Sequence, residues 1–403
     1  MISVSDALRI ISEEAKPIGK ENREILLCNG LVLAEDILSK DSLPPFDKSA
    51  MDGYAVRSID TERITEENPR GFKVRGVIKA GQWCTESINL GEAYKIMTGA
   101  PIPMEADCVI EVEKVKTEGD IVYLYNEVKK DNHVIKFGEE IQPGDIVLKK
   151  GTEIRPAEIG LFASLGYKTV EIYKPPVVGL IITGDELVDI DENIGKGKIR
   201  NSNEYAITSM IRSLGLEVIS YGVVKDDKAV LKKIIEEALE KTDIVITSGG
   251  ASAGDYDFVE TILKEIGAEI KFDSVAIKPG KPISFAVFNG KFFFSLPGNP
   301  LSAITTFEQF IEPLCNKVLG KLDCMKEDFP IILGEDFKVR KGRVKLLYVK
   351  IVKRDDKYYA YNIGSQSSNK LTTISKANGV LIVPEEYSEM NAGQTIRGRF
   401  IFK

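Results

Sequence analysis

The stretch DIVITSGGASAGDYDFVETILKEIG, Asp243 to Gly267, decides the fold. An apolar run, a glycine-rich turn and an amphipathic segment follow one another, as when a buried strand leaves a sheet and enters a helix. Upstream, the apolar run VVGLII ends in TGDEL, and NSNEYAITSMIRSLG reads as a helix capped by Asn201 or Ser202. The strand EVISYGVV and a helix from about Asp226 to Lys241 come next. Downstream, ISFAVFNGKFFFSL turns at Asn289-Gly290, a hairpin signal, and leads through PGNP into a closing helix that ends near Leu319. Alternating apolar strands and amphipathic helices predict a doubly wound, parallel α/β sheet.

Outside this segment the texture differs. Val4, Ala7, Leu8 and Ile11 recur at helical spacing and predict an N-terminal helix over Val4 to Ala15. From Phe72 to Val128, short apolar runs broken by glycines predict a β-rich region. The tail, with IILG, VKLLYVKIV, KYYAYNIG, GVLIVP and TIRGRFIFK, predicts a small C-terminal β domain, and LDCMKED at Leu322 to Asp328 reads as the linker. The fold class expected is therefore α/β and β multidomain, with a central doubly wound domain.

Composition narrows the function. The chain has 403 residues, 29% charged and 43% hydrophobic, with a net charge of −7. That balance is ordinary for a soluble globular protein and argues against nonspecific nucleic-acid binding. No apolar run approaches the roughly 20 residues of a membrane span, and the first residues lack the basic and apolar regions of a signal peptide. Five scattered cysteines form no CxxC pair, so neither a disulfide framework nor a zinc site is expected, and a reducing cytoplasm fits. His133 is the only histidine, which removes His-based metal clusters and a Ser-His-Asp triad. Acid–base and metal chemistry then fall to carboxylates, lysines, hydroxyls and backbone groups, and carboxylates favour hard cations such as magnesium. His133 is read as a loop residue, and Trp83 as packing in the β-rich region.

Four loops carry candidate chemistry, each at a predicted strand end, where open α/β sheets collect ligands. In SGGASAGDYD, Gly249, Gly250 and Gly254 allow close backbone approach, Ser248 and Ser252 add hydroxyls, and Asp255 or Asp257 offers a carboxylate to a cation. A tight turn with Asp255 as helix cap is the structural alternative. TGDEL offers Glu186 as the candidate functional carboxylate, though alone such a loop acid is more often simply solvated. Lys278-Pro279-Gly280-Lys281-Pro282 holds two lysines on a stiff turn, suited to an oxyanion or simply to solvent. Pro297-Gly298-Asn299-Pro300 places Pro300 in the first turn of a helix. Together the loops suggest a magnesium-bridged phosphate ester or anhydride.

The motifs also run in a recognisable order. PPFDKSAMDGYAVR at 44–57, YKIMTGAPIP at 94–103 and GEEIQPGD at 138–145 are followed by TGDEL, IRNSNEY, SGGASAGDYDFV, KPGKP, SLPGNPLSA and GSQSSNKL at 364–371. This series resembles the molybdopterin molybdotransferase family, MoeA in bacteria and archaea and the gephyrin E domain in animals, nearly end to end. The resemblance implies four regions: 1–43 plus 136–174, a discontinuous N-terminal domain; 44–135, β-rich; 175–322, the α/β molybdopterin-binding domain; and 323–403, C-terminal β. It implies insertion of molybdate into adenylylated molybdopterin with release of AMP, in the cytoplasm. It also implies an elongated homodimer, in which the MDGYA loop of one subunit approaches the α/β domain of the other, and contact with a molybdopterin adenylyltransferase. Neither nucleic acid nor membrane is an expected partner.

Carried over by position, Glu186, Asp257, Lys278 and Asp52 match catalytic positions. Thr98 and Ser368 match further active-site positions and, with Ser248, Gly249, Gly250, Ser252 and Gly254 of the glycine-rich loop and with Lys281, Pro297 and Pro300, are assigned to substrate binding; Asp226 and Asp257 are assigned to Mg2+. Lys278 and Lys281 would bind molybdate or phosphate oxygens, and Glu186 would position water or act as base. Departures accompany the match. The family commonly has Arg at Ile135, Asp at Glu140, a basic residue at Ser274 and Arg at Tyr348, so three cations are missing unless Lys136, Lys271 or Arg343 compensates. A non-catalytic cofactor-binding or scaffolding protein of this fold, or a tungstate-inserting variant, is the alternative reading.

Overall fold

A computed structural model describes residues 1–249 and 258–401. It separates into two compact units, residues 1–35, 150–162 and 167–401 in the first and residues 36–149 and 163–166 in the second.

The first unit is built on a six-stranded sheet in the order Glu217–Val224, Val177–Thr183, Ile244–Ser248, Lys291–Leu296, Ser284–Phe288 and Glu269–Phe272. The first four strands run parallel. Ser284–Phe288 is antiparallel to both of its neighbours. Val177–Thr183 and Ile244–Ser248 are central and buried on both faces, which is why they read as continuous apolar runs rather than alternating ones. One face packs Ile181, Val245 and Phe293 against Leu231 and Ile235 of the helix Lys228–Lys241 and Val259 and Ile262 of the helix Phe258–Glu265. The helices Asn203–Ser213 and Pro300–Thr306 cover the other face. The sheet is thus doubly wound, with a hairpin added at one side. Its turn has Asn289 and Gly290 both at positive φ, the conformation that dipeptide favours.

The chain beyond residue 328 closes on itself. Val344–Arg354 pairs with Lys357–Asn362 and with Gly379–Val383, while Phe329–Leu333 and Thr395–Phe400 complete the ring around Ile331, Val349, Leu381 and Ile396. Ile277–Lys278 joins Val344–Arg354 in parallel, placing Lys278 opposite Lys345. The N-terminal helix Val4–Glu14 buries Ala7 and Ile11, with the Ser3 hydroxyl accepting from the Asp6 N–H as its cap.

One helix not anticipated from periodicity is Pro156–Ser164. Its start is chemically encoded: Pro156 opens it, and the Arg155 N–H donates to Glu158 Oε2 at 2.8 Å, half of a capping box. The Arg155 guanidinium adds bonds of 3.1 and 2.7 Å, and these hold the Glu158 carboxyl down at about 2 against an ordinary 4.5. A depressed carboxylate stabilises the fold fully above its unfolded value and loses that contribution as pH falls through its folded one. Glu158→Gln should therefore cost roughly 2 kcal/mol at neutral pH. Urea titrations of both proteins should show the gap close as pH falls from 4.5 towards about 2; a gap unchanged down to the lower value would contradict this assignment.

The second unit centres on a six-stranded sheet, in the order Cys108–Glu111, Gly53–Val56, Glu92–Ile96, Arg70–Ile78, Ile121–Leu124 and Val115–Glu118. It packs Tyr54, Phe72 and Val122 in one cluster and Ala55, Tyr94 and Val109 in another. Trp83 corrects an expectation: it is 69% exposed and meets only the edge of Phe46 among aromatic rings, so it does not belong to either core. His133 lies at positive φ with Nε2 2.9 Å from Glu111.

The five cysteines are free. Burial pushes the Cys108 and Cys315 thiols up to about 12, which makes them packing groups rather than nucleophiles. No helix among the described residues is long and apolar enough to cross a membrane.

Candidate functional site

Four parallel strands end together, and their following loops frame one cavity of about 470 Å3. Thr183, Gly184 and Glu186 enter it from the strand Val177–Thr183, and Asp226 follows Glu217–Val224. Ser248 and Gly249 end Ile244–Ser248, and Gly298, Asn299 and Pro300 follow Lys291–Leu296. Register explains the convergence, since Ile182 pairs with Ser248 and Ser248 with Leu296. Gly249 has no alternative here: its φ is +103°, and a Cβ would stand 2.2 Å from the Thr183 carbonyl oxygen.

Asn203 was not singled out in the sequence, yet it ties the cavity together. Its amide donates to Ser248 Oγ at 2.9 Å and to the Gly298 carbonyl at 2.9 Å. Ser248 in turn reaches the Pro297 carbonyl at 3.4 Å. The helix that carries Asn203 starts through Asn201, whose Oδ1 accepts from the Glu204 N–H while its amide donates to Glu204 Oε2. Ser202 occupies the cap position without a side-chain bond, so of the two expected caps Asn201 does the work. The signal was present in NSNEY, but an asparagine at a helix start reads first as a cap. Asn203→Ala should cost about 2 kcal/mol by leaving buried groups unpaired. Guanidinium unfolding would measure that loss, and an unchanged midpoint would show that the clamp holds nothing.

Among the described residues, Glu186 and Asp226 of this cavity form no ion pair, and the guanidinium of Arg200, also in its wall, is turned to the Ile190 and Glu192 carbonyls. Asp226 is half-buried, and burial, followed by the nearby Asp185 and then Glu186, raises its carboxyl above the ordinary range. Hard oxygen donors under mutual repulsion suit magnesium chemically. Among the described residues, however, no three such side chains gather around a single metal position. Gly250, Ser252, Gly254 and Asp257, the remaining expected residues of this loop, lie outside the described residues.

A second cavity, about 350 Å3, shares Asn299 with the first and is lined by Lys278, Lys281, Arg343, Pro297, Gln366, Ser367 and Ser368 among others. The turn that presents its lysines is fixed by Gly280, where φ is +107° and a Cβ would meet Thr306 Cγ2 at 2.4 Å. Gln366 is held by both edges of its amide, accepting from the Tyr348 N–H at 3.0 Å and donating to the Tyr348 carbonyl at 2.8 Å. The Ser368 carbonyl accepts from the Leu301 N–H, which anchors the serine loop to a helix start.

The missing cations resolve individually. Tyr348 is fully buried and shares a 2.7 Å bond with Thr305, so it packs in the core. Lys136 is committed to Asp47 and Asp131, and Lys271 to Glu14 and Glu269. Arg343 alone of the three possible compensators lines the cationic cavity.

In the second unit, Asp52 precedes the strand Gly53–Val56 and Thr98 follows the neighbouring Glu92–Ile96. Antiparallel pairing brings the two together: Asp52 Oδ1 accepts from the Thr98 N–H at 2.7 Å and its hydroxyl at 2.8 Å. Those two donors hold the Asp52 carboxyl below the ordinary carboxylate range.

Fold and site together define a multidomain α/β protein whose strand ends set a cavity holding Glu186 and Asp226 beside one holding Lys278, Lys281 and Arg343. Comparison with known proteins identifies the family. Residues 2–166 match the MoeA N-terminal region (domain I and II), residues 179–317 a domain described as a probable molybdopterin binding domain, and residues 330–397 the MoeA C-terminal region (domain IV). A molybdopterin molybdenumtransferase of Staphylococcus aureus (strain COL) is 37% identical over 365 residues, 91% of this chain and 87% of the relative. One from Staphylococcus epidermidis (strain ATCC 12228) is 33% identical over 395 residues, covering 98% and 94%. The crystal structure of the molybdopterin biosynthesis moeA protein from Pyrococcus horikoshii OT3 superimposes with a TM-score of 0.84 at 30% identity, covering 99% of this chain and all of that one. The chain belongs to the MoeA family of molybdopterin molybdenumtransferases.

Proposed function

We propose that this protein inserts molybdate into adenylylated molybdopterin and releases AMP, as a cytoplasmic enzyme of molybdenum cofactor biosynthesis. The observation that carries the reading is the pair of cavities meeting at Asn299, one bearing Glu186 and Asp226, the other Lys278, Lys281 and Arg343. A ligand that joins a phosphoanhydride to an oxyanion acceptor needs both kinds of surface within one molecule's reach.

In this account Lys278 and Lys281 bind the oxygens of molybdate as point charges on a stiff turn, aided by Arg343 and the Ser368 loop. Ser248 and Gly249, with Gly250, Ser252 and Gly254, cradle the phosphates, and Pro297 and Pro300 shape the loop facing the pterin. Glu186, exposed at the cavity wall, positions the water that opens the phosphoanhydride or takes its proton as the P–O bond to molybdopterin breaks. Asp226 and Asp257 would hold Mg2+, which when bound supplies charge neutralisation to the phosphate oxygens. Asp52, oriented by Thr98, is assigned to the same reaction. A homodimer is the proposed assembly, and a molybdopterin adenylyltransferase the proposed source of substrate.

The test is incubation with adenylylated molybdopterin, magnesium and molybdate. AMP release together with reconstitution of a molybdenum-dependent apoenzyme is expected. Tight binding without AMP release would instead identify a scaffold.

A further inference from the structure

A third cavity, about 360 Å3, opens beside the cationic one and shares Lys278, Pro279 and Gln366 with it. It is lined by Lys278, Lys338, Arg340, Lys345 and Gln366, with apolar walls from Val339, Leu346 and Leu347. Lys345 is its unusual member. Its side chain is 5% exposed, and its ammonium makes a single long bond, 3.4 Å, to the Arg343 carbonyl. Strand pairing sets it directly opposite Lys278, so two lysines stand side by side on neighbouring backbones. Like charges in that position repel. Among the described residues, no carboxylate forms an ion pair with Lys278, Lys338, Arg340, Arg343 or Lys345.

A buried ammonium without a counter-ion is costly, and the neighbouring cations add to the cost. An anion in the cavity removes both penalties at once. A tetrahedral dianion suits the donors, since ammonium and guanidinium groups bind its oxygens through short charge-assisted bonds. The amide of Gln366, fixed by Tyr348, is a wall common to this cavity and the Lys281 cavity, as are Lys278 and Pro279.

We propose that this cavity is a second oxyanion site, with Lys345 as its buried cation and Lys278 shared with the site at Lys281. A dianion held there lies one lysine away from the proposed reaction site, so the cavity serves as a holding position for the incoming oxyanion. That role rests on the proposed function; the binding site itself rests on its own residues.

Equilibrium dialysis of the full-length protein against molybdate at low ionic strength tests it. Two equivalents are expected for the wild type. Lys345→Met, which keeps the packed volume and removes the charge, should bind one. Lys338→Ala combined with Arg340→Ala changes only exposed rim residues and should weaken the second equivalent roughly tenfold. Adding AMP separates the two sources of such a dianion: displacement of the second equivalent marks a phosphate ester's seat, retention marks one for the free oxyanion, and both support the site. One equivalent in the wild type, or two undiminished equivalents in Lys345→Met, would overturn it. Lys281→Ala distinguishes the readings. If it loses an equivalent and Lys345→Met does not, the second site fails and the proposed reaction site stands; the reverse pattern upholds the second site and removes the first.

Discussion

Alanine at Lys278 is expected to slow molybdate-dependent AMP release by at least about 100-fold, the scale on which removing one preorganised charge donor acts on a transition state. Lys278 lies at the end of a short strand, paired with Lys345, on a turn whose shape is set by Gly280. It lines both cationic cavities, so no single neighbour can replace it in both. The side chain is exposed and makes no ion pair among the described residues, so its removal should leave the unfolding midpoint nearly unchanged. Arginine should rescue only in part, because a broad planar fork does not occupy the place of a compact ammonium. Steady-state AMP release across a molybdate titration would measure the loss; activity within a few fold of wild type would remove Lys278 from the reaction.

Gly249→Ala should be the most damaging single-methyl change in the cavity wall. The added carbon would sit 2.2 Å from the Thr183 carbonyl oxygen and 2.7 Å from its hydroxyl, at a φ of +103°. Either strand end must yield, and both carry the cavity: Thr183 leads to Glu186, and Gly249 follows Ser248. Backbone strain and overpacking together should cost about 3 kcal/mol, with AMP release lost beyond what the stability change explains. Gly290→Ala is the control, at φ +77° with nothing within 4 Å of the added carbon. It should cost only about 1 kcal/mol from the left-handed conformation. Denaturant titration of both variants separates the two costs, and equal losses would show that the contact with Thr183 is relaxed away.

The α/β sheet was legible because its central strands are apolar without interruption and its helices are amphipathic, so the two periodicities separate cleanly. The hairpin at Asn289-Gly290 was legible for the same local reason. Two features were not. Pro156–Ser164 is only nine residues long with apolar residues around most of its surface, so helical spacing gives little signal although its cap is encoded. The pairing of Ile277–Lys278 with Val344–Arg354 joins segments far apart in the chain, and nothing in KPGKP announces a strand. That pairing is what makes Lys345 a neighbour of Lys278.

Among the site residues, the strand-end loops announced themselves through glycine, proline and charge. Asn203 and Gln366 did not, because their work is to hold backbone carbonyls and N–H groups whose positions depend on the fold. The loss of cations inferred at Ser274 and Tyr348 also needed the structure to weigh it. Tyr348 is a core residue bonded to Thr305, and Ser274 bonds its neighbour Asp273, while Arg343 lines the cavity that matters.

If the acidic and cationic cavities act on one ligand, phosphoanhydride cleavage and oxyanion binding are coupled. The most direct measurement is AMP release from adenylylated molybdopterin by the magnesium-supplied wild-type protein, with and without molybdate. Release should depend on molybdate and be lost in both Asp226→Asn and Lys278→Ala. Release that proceeds equally without molybdate and survives Lys278→Ala would contradict that coupling, because cleavage would then belong to the acidic cavity alone.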